Sequence, residues 1–148
     1  MSKPKVGLLG LYLELYDRVL PEVRRRIDGF YDLIAGELAN RGLEVMTYDL
    51  CRLRPEFEGA VRAFESSRVD AIVTLHLAYS PSLESVPAIV GSRLPVIVCD
   101  TTPTLNYGPR QDPAELMYNH GIHGVQDFCN MLIREGKPFD IAGARRRS

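Results

Sequence analysis

The stretch VGLLGL, residues 6–11, decides the fold because it is short and carries no charged side chain. Such a run is typical of a β-strand that is buried on both faces, as strands are in parallel sheets covered by helices. Two runs of the same character follow, AIVTL at residues 71–75 and PVIVC at residues 95–99. We therefore predict that these segments are the central strands of one sheet.

Segments with helical spacing separate these strands. Apolar residues recur every three or four positions between Val19 and Asn40, and Arg41-Gly42 then ends the pattern, as expected at the end of an amphipathic helix. Comparable patterns predict helices over residues 55–67 and 83–92, and strands over residues 44–50 and 138–142.

A last helix is predicted after residue 111. Asp112 suits the N-cap position, Pro113 the first helical position, and Glu115 the end of a capping box. We expect this helix to run to Glu135 and to end at Gly136, because glycine commonly terminates helices.

The alternation of strands and helices predicts a parallel sheet with helices on both faces. We expect an α/β three-layer sandwich whose open parallel sheet has about five strands, Rossmann-like or flavodoxin-like, in the order 2-1-3-4-5. The 148 residues, 45% of them hydrophobic, suit one domain over residues 1–144. The basic end, residues 145–148, is predicted to be a disordered tail or a remnant of cloning.

Charge and cysteine content exclude several classes of partner. The 18 Lys and Arg nearly balance the 19 Asp and Glu, so we expect neither nucleic acid nor a membrane as partner. Three cysteines lie far apart without CxxC spacing, which favours reduced thiols over disulfides or a zinc site. Without a signal peptide or an apolar run of membrane-spanning length, a cytoplasmic protein is expected.

Polar and aromatic side chains follow the predicted strands where each strand ends. They are Tyr12, Glu14 and Tyr16 after the first strand, His76, Tyr79 and Ser80 after the third, and Asp100, Thr101, Thr102, Asn106 and Tyr107 after the fourth. Ligands bind at this edge of open parallel sheets, and aromatic faces beside neutral polar groups suit a polyhydroxylated molecule. The first loop lacks GxGxxG and GxxxxGK[ST] motifs, so nucleotide binding is not supported.

Each of these residues also has an ordinary structural explanation. Asp100 precedes Thr-Thr-Pro and is a common type of turn former. His76 is equally consistent with a half-buried histidine whose hydrogen bonds are satisfied, and Tyr79 with a ring that covers the edge of the core. Their common location is the stronger argument for a binding site.

The stretch YNHGIHGVQDFCN, residues 118–130, contains no lysine, arginine or glutamate. At 100° per residue its projection predicts two faces. The packed face comprises Tyr118, Ile122, Val125, Cys129 and Leu132, and the neutral polar stripe comprises Asn119, His123, Gln126 and Asn130. A surface helix normally carries charged, better helix-forming residues, so we expect the stripe to face a ligand, although His123 also fits an ordinary surface histidine.

The same projection gives predictions for the two glycines and the two histidines of this stretch. Gly121 projects near the packed face, where it would permit close approach to the sheet, and Gly124 projects beside the stripe, where it would admit a ligand or another chain. His120 and His123 are at a spacing that supports metal ligation, but no third ligand shares their faces. We therefore expect this chain to bind no metal or other cofactor.

Three segments together resemble the N-terminal domain of the L-fucose/L-arabinose isomerase family. They are KVGLLGLYLELYD at residues 5–17, TLHLAYSPSLES at residues 74–85, and DTTPTLNYGPRQDPAELMYNHGIHGVQDFCNMLIREGKPF at residues 100–139. The members of this family interconvert aldoses and ketoses with a divalent metal, Mn²⁺. The third segment is long and is the most specific of the three.

The resemblance implies roles for individual residues. His123 matches the histidine of the family's NxxxHG helix, which reaches the sugar from a neighbouring subunit. Tyr79 matches an aromatic residue that helps to wall the same pocket. The loop after the first strand also contributes in the family, and here it offers Tyr12, Glu14 and Tyr16 as candidates.

The family's proton-transferring glutamates and metal ligands belong to further domains, which this sequence lacks. The resemblance therefore implies that the chain is not catalytic alone. We expect it to assemble as a homo-oligomer and to complete a neighbouring subunit's site for a pentose or deoxyhexose. The alternative is a free-standing module that binds or senses a small sugar.

Overall fold

The computed structural model describes residues 2–106 and 108–143 of the chain. The strands are β1 Lys5–Leu11, β2 Glu44–Met46, β3 Ala71–His76, β4 Val96–Asp100 and β5 Asp140–Gly143. The helices are α1 Glu14–Val19, α2 Arg24–Asn40, α3 Arg54–Ser66, α4 Ser82–Gly91, α5 Glu115–Tyr118 and α6 Gly121–Arg134, with a 3-10 turn at Pro21–Val23. Tyr107 and the predicted tail lie outside the described residues.

The strands form one parallel sheet in the order β2-β1-β3-β4-β5. This order confirms the prediction made from the sequence, as does the three-layer Rossmann-like architecture. β1, β3 and β4 are apolar runs because helices cover both of their faces. The winding direction reverses between β1 and β3, which places a crevice at their carboxyl ends.

The hydrophobic core consists of one cluster on each face of the sheet. On one face, Leu9, Ile72 and Val98 pack with Phe64 of α3 and Phe128 of α6. On the opposite face, Leu8, Val73 and Leu75 pack with Ile27 and Phe30 of α2. Alternate residues of each strand thus face opposite layers, as the period of a strand requires.

Two of the predicted elements near the start of the chain differ from the structure. The predicted helix over residues 19–40 begins only at Arg24, and a separate helix, α1, occupies part of the loop that follows β1. Pro21 explains the interruption, because proline lacks the backbone N–H that would continue α1. The predicted strand over residues 44–50 ends at Met46, and only Cys51 returns to the sheet, through a bridge to Leu11.

The predicted last helix is broken. α5 ends at Tyr118, α6 begins at Gly121, and Asn119 and His120 between them have backbone angles outside the helical region. Asp112 caps the preceding turn, because its Oδ1 accepts a hydrogen bond from the Ala114 N–H at 2.9 Å. Among the described residues, no helix is both long and apolar enough to cross a membrane.

Candidate functional site at the carboxyl edge of the sheet

The break between α5 and α6 carries the chain across the carboxyl edge of the sheet. Met117 and Tyr118 of α5 pack on the same face as α2, whereas Val125 and Phe128 of α6 pack on the opposite face. The connection therefore passes over the ends of β3 and β4, which is where the predicted site residues collect.

Gly121 allows this crossing because it lies directly against the sheet. A Cβ atom at Gly121 would lie 2.6 Å from the carbonyl oxygen of His76 and 3.8 Å from that of Thr101. No real side chain tolerates the first of these distances, so only glycine permits the start of α6 to approach the ends of β3 and β4. The predicted close approach at Gly121 is confirmed.

Gly124 has a different role from the one predicted. It is buried, and a Cβ atom there would lie 3.0 Å from both His76 Nδ1 and Ser80 Oγ. The expectation that Gly124 lies beside an exposed stripe and admits a ligand is therefore wrong. The glycine instead lets α6 approach the side chains of the loop after β3 closely.

His76 belongs to the interior of the protein. Its side chain is 2% exposed, its Nδ1 lies 3.1 Å from Ser80 Oγ, and its ring meets Phe128 edge to face at 5.1 Å between centroids. Burial lowers the pKa of His76 to about 3, so the imidazole is neutral at pH 7. Its Nε2 is buried and has no hydrogen-bond partner. The sequence offered one signal of the Ser80 contact, the spacing of four residues across a tight turn.

Tyr12 and Tyr16 form a second buried group at the end of β1. Tyr12 is fully buried, Tyr16 is 8% exposed, and their rings meet edge to face with centroids 6.1 Å apart. Arg24 lies over the Tyr12 ring at 5.5 Å. Burial first, and then the nearby Asp17, raise the pKa of Tyr12 to about 12. The Tyr12 hydroxyl is buried without a hydrogen-bond partner, so a ligand could reach it only if the surrounding loop moved.

A network of ion pairs holds the loop around these tyrosines. Asp17 accepts hydrogen bonds from Arg24 at 2.8 and 2.9 Å and from Arg52 at 2.8 Å, and Arg52 also pairs with Glu56 at 2.6 Å. Hydrogen bonds from the Arg52 side chain and from backbone N–H groups outweigh burial and lower the pKa of Glu56. A network of this kind fixes geometry better than an isolated surface pair does.

The other predicted residues of the strand ends are partly exposed. Glu14 lies in α1 and pairs with Arg18 at 3.1 Å. Tyr79 is half-buried, and its hydroxyl lies near Tyr16, whose pKa is raised by burial and then by Tyr79. Asp100 is the last residue of β4. Burial first, and then the charge of Asp100, raise the pKa of Cys129 in α6.

Asn119 does not belong to the exposed stripe. It is 6% exposed, and its Oδ1 accepts a hydrogen bond from the Thr104 N–H at 2.9 Å. Its Nδ2 donates to Thr104 Oγ1 and to the Glu115 carbonyl oxygen, both at 2.9 Å. The projection placed Asn119 beside His123 because it assumed one continuous helix. With the helix broken, Asn119 joins the loop after β4 to the end of α5.

We expect Asn119→Ala to lower the free energy of unfolding by about 2 kcal/mol, because the part-buried Thr104 N–H loses its acceptor. Urea unfolding followed by circular dichroism measures the change. Asn130→Ala is the matched control, since Asn130 is exposed on α6 and its loss should change stability by less than about 0.5 kcal/mol. Equal effects of the two substitutions would show that the Asn119 contacts do not stabilise the fold.

α5 is attached to α2 through Arg26, a residue that the sequence did not single out. Its guanidinium donates to Glu115 at 2.7 and 3.1 Å and lies over the Tyr118 ring at 4.0 Å. The Tyr118 hydroxyl also donates to the Arg26 carbonyl oxygen at 3.3 Å. Glu115 therefore pairs with another helix instead of closing the predicted capping box.

The outer face of α6 keeps the predicted neutral character. His123, Gln126 and Asn130 are exposed. Ile122, predicted to be packed, is 37% exposed, and Ile133 is 68% exposed. Phe128, which the projection left off the packed face, is fully buried, and Val125, Cys129 and Leu132 are buried as predicted. The buried side of α6 is therefore rotated away from Ile122.

His120 and His123 lie side by side where α6 begins. Their ring centroids are 4.3 Å apart, and the His120 Nδ1 is buried without a hydrogen-bond partner. Burial first, and then the neighbouring His123, lower the pKa of His120. His120 and His123 therefore form a pair of neighbouring imidazoles at the start of α6.

None of the predicted site residues lines the depression between the start of α2 and the segment after β2. This open depression has a volume of about 510 Å³, and its walls include Arg24, Asp28, Asp32, Tyr48 and Asp49. Among the described residues, no group of three or more His, Cys, Asp or Glu could hold a metal ion. The residues described here therefore do not fit the catalytic metal that the family resemblance implies.

No protein-family model matches the chain, and no curated protein matches it.

Proposed function

We propose that this chain is the N-terminal domain of an aldose–ketose isomerase of the L-fucose/L-arabinose type. In this proposal it supports assembly of the oligomer and offers His123 to a sugar that a neighbouring subunit binds. The chain is not catalytic by itself, because the transfer of the C2 proton requires a base, an acid–base partner and usually a metal.

The observation that carries the proposal is the contrast between His123 and the other predicted residues. His123 is exposed at the start of α6, above the carboxyl edge of the sheet. Tyr12, His76 and Asn119 are buried and make their contacts inside the fold. Among these residues, His123 is therefore the one that can contact a sugar outside this fold. Such a contact suits a site that is shared with another chain.

The amide side chains near His123 are a second support. Gln126 and Asn130 offer amide donors and acceptors on the same exposed side of α6, with no Lys, Arg or Glu between residues 118 and 130. Amide side chains match sugar hydroxyls well, since each can donate to one hydroxyl and accept from another.

The test supplies the family's metal-binding domains in trans. The chain is mixed with the metal-binding domains of an L-arabinose or L-fucose isomerase and Mn²⁺, and ketose formation is measured. We expect the mixture to form ketose, and His123→Ala to lower the rate by roughly tenfold, the effect of losing one hydrogen bond worth about 1.4 kcal/mol. Arg134→Ala, exposed at the other end of α6, is the control and should leave the rate within about twofold of the unsubstituted chain.

Two results would contradict the proposal. Absence of ketose in every mixture would refute the isomerase assignment, and an unchanged rate for His123→Ala would refute the role of His123. Calorimetry on the isolated chain distinguishes the isomerase domain from the alternative. Saturable binding of a pentose or deoxyhexose by the chain alone would support a free-standing sugar-binding module.

A further inference from the structure

The His120–His123 pair has a feature that neither the core nor the proposed sugar contact explains. His120 Nδ1 is buried and has no hydrogen-bond partner, although an unpaired polar atom in such a place costs free energy. The ring beside it is another imidazole, at 4.3 Å between centroids. Contact between the two rings does not give this nitrogen a partner, whereas a shared metal ion would.

We propose that His120 and His123 bind a divalent transition-metal ion such as Zn²⁺, with water in the remaining coordination positions. Neutral imidazole is the commonest metal ligand among side chains. Zinc sites with fewer than four protein ligands keep open positions for water or another small ligand. The unpaired Nδ1 of His120 would ligate the ion. Alternatively, the ring would turn so that Nε2 ligates it.

The distance between the rings suits this role. Two imidazole nitrogens that each lie about 2.1 Å from one zinc ion place the ring centroids about 5 Å apart. The observed separation is 4.3 Å, so a small rotation of one ring is enough. His123 is exposed and lies in the first turn of α6. Its ring can therefore rotate without disturbing the core.

The surroundings decide the type of site. Within residues 2–106 and 108–143, no third His, Cys, Asp or Glu joins the pair, so the coordination sphere stays open. The partial positive charge at the start of α6 opposes a cation, but this effect is small beside two metal–nitrogen bonds. Such a site differs in ligands and in place from the isomerase metal centre, and it does not depend on the proposed sugar contact.

The test uses the complete chain, purified without a polyhistidine tag, and Zn²⁺ alone. We expect calorimetry to show saturable binding of one ion per chain. His120→Ala and His123→Ala should each weaken binding by roughly tenfold or more, and the double substitution should abolish it. Gln126→Ala and Asn130→Ala, exposed on the same helix, are matched controls and should bind as the unsubstituted chain does.

Cobalt distinguishes histidine from cysteine as the ligand. All three cysteines are buried, so Co²⁺ bound by the pair should give no thiolate-to-cobalt charge-transfer band. Such a band would overturn the proposal, as would unsaturable binding or unchanged binding by the double variant. Because His123 is exposed, His123→Ala should keep the circular dichroism spectrum of the parent, which makes its loss of zinc binding decisive even if His120→Ala fails to fold.

Discussion

Gly121→Ala is expected to lower the free energy of unfolding by about 3 kcal/mol, the upper end of what overpacking costs. The added methyl group would lie 2.6 Å from the His76 carbonyl oxygen. That oxygen belongs to the backbone of β3 and cannot rotate away, so the start of α6 must lift from the sheet. Val125 and Phe128 would then lose part of their packing in the core.

Gly36→Ala provides the matched control. Gly36 lies within α2, and an added Cβ there would meet nothing within 4 Å. Alanine is the better helix former by about 1 kcal/mol, so this variant should be more stable than the parent. Urea unfolding should therefore move the two midpoints in opposite directions. Movement in the same direction would mean that the crossing at Gly121 is not tightly packed.

The sheet could be predicted from the sequence because its signals are local. The runs at residues 6–11, 71–75 and 95–99 are apolar without interruption by charge, and both faces of the corresponding strands are covered. The predicted strand order follows from right-handed crossovers and short connections, which leave few alternatives. The close approach at Gly121 was likewise accessible, since a glycine beside an apolar helical face indicates a nearby backbone.

The break between α5 and α6 could not be predicted in the same way. Asn119 prefers its contacts with Thr104, fifteen residues earlier in the chain, to a place in a helix. A projection at 100° per residue contains no information about such a partner. Every residue before the break was therefore assigned the wrong angle relative to α6, which misplaced Asn119 and Tyr118.

The candidate site is consequently smaller than the sequence indicated. Burial removes Tyr12, His76 and Asn119 from direct contact with a ligand unless the loops move. His123 and Gln126 keep the exposure that the projection gave them, because both follow the break and share the continuous helix α6. Side-chain burial in loops depends on the packing of distant elements, such as Arg26 against α5, and short sequence patterns do not report it.

The second large effect is expected from pH, through His76. Burial lowers the pKa of His76 to about 3 in the folded protein, whereas an unfolded histidine titrates near pH 6.5. Between these two pKa values, His76 binds a proton in the unfolded chain but not in the folded protein. Stability is fully present above about pH 6.5 and is lost progressively as the pH falls toward 3. Between pH 7 and pH 4.5, proton uptake by His76 alone should lower the free energy of unfolding by roughly 2 to 3 kcal/mol.

His76→Asn isolates this contribution, because asparagine can still meet Ser80 but does not titrate. The variant should be less stable than the parent at pH 7, since it loses the contact between the ring and Phe128. Its stability should nevertheless fall much less between pH 7 and pH 4.5 in urea unfolding. His123→Ala is the control, since His123 is exposed and the parent's pH dependence should persist without it. A dependence of the same size in His76→Asn would mean that a group other than His76 takes up the proton on unfolding.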